Sequence, residues 1–140
     1  MLLTCALGAA INGATKMDQK ILGKLIAQRI SSDRFQIWGT EVRWMSPEYD
    51  TPENRAIVDD VIANYDDLAA AYMREQHMAS LRVERNRRLD EADIKYCNAE
   101  QWSVMTEAQR AAWAAYKQAL RDLPATTEDP ANPVWPEMPA

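Results

Sequence analysis

The spacing of apolar and polar positions divides the chain into segments of different period. Over residues 18–30, Ile21, Leu22, Leu25, Ile26 and Ile30 recur at the interval of one helical face. Gly23 weakens that helix, and Ser31, Ser32 and Asp33 end it. The period then changes to two between Phe35 and Trp44. A two-residue loop at Gly39 and Thr40 fits a type II′ turn, which takes glycine at its first central position. In that register Ile37 faces Val42 and Phe35 faces Trp44, all four on one side of the ribbon. Gln36, Trp38, Glu41 and Arg43 fall on the other side. An isolated hairpin is marginal in water, so this one is expected to lie against helices or an added strand.

Pro47 to Asp50 reads as a loop. Thr51, Pro52 and Glu53 then supply an N-cap, a proline at the first helical position and an acid in the first turn. Ile57, Val61, Tyr65, Leu68 and Tyr72 form one stripe, which Val58 and Ile62 widen. No proline or glycine interrupts Asn54 to Leu123, so the spacing predicts one long helix past Met78 and Leu81 to Leu89 and Ile94. A break near Arg74–Ser80, where the stripe weakens, is the alternative. A helix of that length suits protrusion or packing against a partner, self-association included. Residues 95–105 read as a connection. Thr106 with Gln109 three residues on makes a capping-box pattern. In the helix it opens, Ala112, Tyr116, Ala119 and Leu123 share a face flanked by Trp113 and Leu120, and Pro124 is the stop signal. The remainder is Pro-rich and aperiodic. Trp135 in that tail is either a docking peg on a stiff extended segment or an aromatic folded back onto its own helices.

The predicted class is therefore α+β, mostly α: an N-terminal helix, a short β-hairpin, a long helix, a C-terminal helix and a Pro-rich tail. The regions are 1–50 (helix plus hairpin), 51–124 (helical, with the last helix over 106–123) and 125–140 (extended tail). The 140 residues suit one domain, and the 47% apolar and 26% charged composition is that of an ordinary globular chain. A net charge of −5 sets the chain against phosphate backbones, so no nucleic-acid partner is expected. Cys5 and Cys97 form no ligand motif and read as free thiols of a reducing compartment. The apolar stretch within residues 1–16 is about ten residues, too short to span a bilayer. No basic residue precedes Lys16, as a signal peptide would require. That stretch reads as a buried element or as an extension upstream of a start at Met17, and no membrane association is expected.

Chemistry-bearing constellations are sparse. His77 has no second histidine or cysteine at ligand spacing. Asp59, Asp60, Asp66 and Asp67 fall between stripe positions and read as a solvated face. Arg82, Arg85, Arg87 and Arg88 form a basic run, with Glu84, Asp90, Glu91 and Asp93 at pairing distance along the helix. No glycine-rich phosphate cradle and no nucleophile elbow is present, so neither an enzyme nor a cofactor is expected. The five tryptophans are the unusual feature. Periodicity puts Trp44 and Trp113 in the core, whereas Trp38 and Trp135 read as interface residues.

Three stretches in order carry a resemblance. They are Arg85-Asn86 with Leu89 and Asp93, the helix from Trp113 and Tyr116 through Gln118, Leu120, Arg121, Asp122, Leu123 and Pro124, and the ending Val134, Trp135, Pro136 and Pro139. Together they resemble the C-terminal region of bacteriophage tail-fibre assembly proteins, also called phage tail assembly chaperones. Departures are Ile94, where that family often has tryptophan, Lys117 in place of arginine, and a longer segment from Lys95 to Met105, in which Trp102 is placed to compensate. The resemblance implies a non-enzymatic protein that binds a tail-fibre protein and promotes its folding, trimerisation or attachment. It implies work in the host cytoplasm during phage assembly. Retention in the virion tail, as a cap or joint at the fibre or baseplate, is the alternative. The expected partner contacts are Trp38, Trp113, Tyr116 and Trp135, with Arg85 and Arg121 as charges.

Overall fold

The computed structural model describes residues 16–140. The expectations placed on Cys5 and on the apolar stretch before Lys16 lie outside the described residues. The chain divides into two compact units between Ala70 and Ala71.

In the N-terminal unit, Asp18 caps helix α1 (Gln19–Ile30), its carboxylate accepting from the backbone N–H of Lys20 at 2.8 Å and Ile21 at 3.2 Å. Leu22, Leu25 and Ile26 of the predicted stripe are buried. Ser31 ends the helix in the left-handed region at φ 52°. Strands β1 (Phe35–Trp38) and β2 (Glu41–Trp44) pair antiparallel in the predicted register, Phe35 with Trp44 and Ile37 with Val42. Of the two turn residues Gly39 alone has positive φ, +66°, as a II′ turn requires. A Cβ on Gly23 would sit 3.5 Å from Ile37 Cδ1, which shows how near the ribbon's apolar face lies to α1.

A 3₁₀ turn (Pro47–Tyr49) leads to helix α2 (Pro52–Ala63), capped by Thr51 Oγ1, which accepts from the Asn54 N–H at 3.2 Å. Val58 and Val61 are buried, and Arg29 of α1 pairs with Asp60 of α2. The predicted single long helix is in fact two. Its break falls at Asn64, not near Arg74–Ser80, and helix α3 (Tyr65–Glu91) follows at once. Asn64 closes α2 by donating its side-chain amide to Asp60 O and Oδ1, at 2.9 and 3.0 Å. An asparagine side chain offers the backbone this local alternative to continuing a helix. Tyr65 stays on the stripe and is buried, and its hydroxyl accepts from the Asp18 N–H at 2.9 Å.

In the C-terminal unit, α3 ends in a widened turn (Ala92–Tyr96), closed by the Cys97 N–H on Ala92 O at 2.8 Å. The segment 95–105 is not a plain connection: it contains helix α4 (Ala99–Val104). Asn98 caps it through the Gln101 N–H at 3.0 Å. Thr106 and Gln109 form the predicted capping box of helix α5 (Glu107–Thr126). Pro124 does not stop that helix. It sits in the last turn, and the Thr127 N–H still reaches Leu123 O at 3.0 Å. The buried stripe of α5 runs through Trp113, Tyr116, Leu120 and Leu123, rotated from the predicted face so that Ala112 and Ala119 are exposed. Large side chains gain more by burial than alanine does, and they set the facing side. The core joins Ala92, Trp113, Tyr116 and Leu120, with Leu89, Tyr96, Trp102, Met105 and Trp135 packed against it. Tyr96 stacks on Trp113 at 4.9 Å between ring centres. Among the described residues no helix is long and apolar enough to cross a membrane.

Candidate partner-binding surface

The tail after α5 has no regular secondary structure, yet its backbone is tied down. Arg74 of α3 donates to Glu128 O at 2.8 Å. Asp129 then folds the chain into a turn, its carboxylate accepting from the Ala131 N–H at 3.0 Å and the Asn132 side chain at 2.9 Å. These donors hold the Asp129 carboxyl below its ordinary value, the Asn132 amide first and the Ala131 N–H next. Pro130 is buried. Trp135 is half-buried against the core, and the Arg88 guanidinium lies over its ring, 4.3 Å from the centroid. Of the two readings of Trp135, the fold realises the one in which it returns to its own helices.

Arg88 is itself held. Its Nε donates to Glu84 Oε1 at 2.9 Å, while Arg87 donates to both oxygens of Glu84 at 2.8 Å. Arg87 also reaches Glu91 at 3.1 Å, and Lys95 pairs with Glu91 at 2.8 Å. The hydrogen bonds from Arg87 and then Arg88 draw the Glu84 carboxyl down to about 2. Of the basic run, Arg87 and Arg88 thus pair within their own helix. Lys117, which stands where the resembled family has arginine, bonds Asp93 at 2.9 Å. Trp102 packs against the core with Arg110 and Lys117 over its ring, each 5.8 Å from the centroid, whereas Ile94 points outward.

The six expected contact residues fall in both units. Trp38 lies in the N-terminal unit, 61% exposed, with Arg43 5.4 Å from its ring centre. Trp113 and Tyr116 are inside the core of the C-terminal unit, so their place in this fold is beneath the surface. Trp135 is half-buried, Arg121 exposed and Arg85 half-buried. Periodicity did not find the outward apolar residues of the C-terminal unit: Val83, Ile94, Val104, Val134 and Met138 are all more than half exposed. Cys97 is a half-buried free thiol whose pKa burial pushes up. His77 is half-buried, and among the described residues no three His, Cys, Asp or Glu side chains gather as a metal site.

Residues 78–140 match the family model described as phage tail assembly chaperone protein. The matched span takes in the arginine-rich end of α3, both following helices and the whole tail. The matched region coincides with most of the C-terminal unit, and the match supports a role in phage tail assembly. The family is one of assembly chaperones, not a class of enzymes. No curated protein and no solved structure matches the chain.

Proposed function

We propose that this protein binds a tail-fibre protein and promotes its folding, trimerisation or attachment. The observation that carries the proposal is the chaperone match over 78–140 on a unit that displays large apolar side chains around its tail, Val134 at 87% exposure and Met138 at 52%. A fibre segment exposes apolar surface before its trimer closes, and these side chains cover it. Exposed charges such as Arg121 form the rim that sets register. Trp113 and Tyr116 act from below, by fixing the helix on which the tail rests. Trp38 offers a further contact from the N-terminal unit. The work is done in the host cytoplasm while tails assemble.

A second function, that of a virion subunit retained as a cap or joint, is favoured by the tail's attachment through Arg74, Asp129 and Trp135, since a permanent joint needs a defined surface. Affinity capture of the phage's fibre protein, with mass spectrometry of purified virions, separates the two. Capture with absence from virions is expected of the chaperone. A fixed stoichiometry in virions would make it a structural subunit, and failure of capture would remove the fibre as partner.

A further inference from the structure

Helix α3 carries an arginine that its unit leaves unpaired. By helical spacing Arg85 stands on the inward stripe, four residues after buried Leu81 and four before Leu89, which packs on the core. Among the described residues its Nε is the buried side-chain polar atom without a hydrogen-bond partner. Three neighbouring carboxylates are engaged elsewhere. Glu84 holds Arg87 and Arg88, Glu91 holds Arg87 and Lys95, and Asp93 holds Lys117. A guanidinium partly withdrawn from water with no counter-ion costs stability, and leucine or methionine would serve packing better there. Positions that sacrifice stability in this way are characteristic of function. The residue is half-buried as a whole, not enclosed, and among the described residues its guanidinium has no ion-pair partner, so it is left for a ligand.

We propose that Arg85 is a carboxylate-recognition site, which receives an acidic side chain of the tail protein that this region serves. The inference rests on the function proposed above. A planar guanidinium edge matches a carboxylate through two parallel hydrogen bonds. A carboxylate is favoured over a nucleic-acid phosphate because the chain carries a net charge of −5, which opposes a polyanion but tolerates one acidic group at one unpaired cation. Arg88, one helical turn on, is fixed between Glu84 and Trp135 and keeps a second positive charge beside the site without competing for its ligand.

The test compares the full-length wild type with Arg85→Met and Arg85→Lys. Arg85→Met is expected to melt at the wild-type temperature or above it while fibre capture falls at least tenfold, and Arg85→Lys is expected to recover only part of the capture. In the wild type alone, acetate is expected to shift the Arg85 side-chain NMR signals saturably and to leave those of Arg87, already bonded to Glu84, in place. Full capture by Arg85→Met, a melting temperature lowered in step with the loss of capture, or Arg85 signals unmoved by acetate would each overturn the site. A stronger response to inorganic phosphate than to acetate would overturn its assignment to carboxylates. If the wild type captures no fibre, the function proposed above fails, and the acetate titration decides the site by itself.

Discussion

At the scale of single residues, Glu84 and Trp135 join the tail to α3. Glu84 is bridged by Arg87 and Arg88, and Arg88 in turn covers the indole of Trp135. With its folded-state value drawn down to about 2, Glu84 contributes stability that is fully present above the ordinary value of 4.5 and is lost as pH falls towards 2. Carboxyl-carbon NMR is expected to find its midpoint near 2 in the wild type, and closer to the ordinary value in Arg87→Gln. A midpoint near 4.5 in the wild type would mean that the bridges do not persist in solution. Trp135→Ala removes both core packing and the cation–π contact, so a stability loss of about 1 to 2 kcal/mol is expected by thermal melting. Trp38→Ala, at an exposed site, is expected to change stability by less than about 0.5 kcal/mol. Equal costs for the two would place Trp135 off the core.

At the scale of elements, the two described glycines that meet structure call for opposite responses. Gly23 lies within α1 with only ordinary contact distance to Ile37, so Gly23→Ala is expected to stabilise by up to about 1 kcal/mol through helix propensity. Gly39 has open space around it but positive φ, so Gly39→Ala is expected to cost about 1 kcal/mol from backbone conformation alone. Chemical denaturation of both variants checks the signs. The elements that sequence made legible share a trait: their signals are local. The hairpin register followed from period-two alternation around Gly39, and the capping box from Thr106 and Gln109. The break at Asn64 was missed because the apolar stripe continues through it to Tyr65, and only an asparagine side chain bonding back to Asp60 marks it. Helix α4 was passed over because it is short and has no buried residue, although Asn98 and Gln101 are spaced as a cap. Pro124 was read as a stop where the last turn tolerates it. The contact surface was the least legible part. Which aromatics lie under the tail depends on how the tail returns, and an aperiodic Pro-rich sequence does not encode that locally.

For the whole molecule, the described residues place paired charges and outward apolar side chains in the C-terminal unit. Charged groups bond to one another along α3, the cysteine is a half-buried thiol with a raised pKa, and large apolar side chains face outward around the tail. The chaperone match covers residues 78–140, and the N-terminal unit adds a hairpin with an exposed Trp38. The proposed function assigns the contact with the assembling tail protein to the C-terminal unit. The most direct test of this account is co-expression of the phage's fibre protein with and without this chain, followed by measurement of soluble trimer. At least a tenfold rise in soluble fibre trimer with the chain present is the predicted result. Fibre that trimerises equally well alone, or that aggregates equally in its presence, would contradict it.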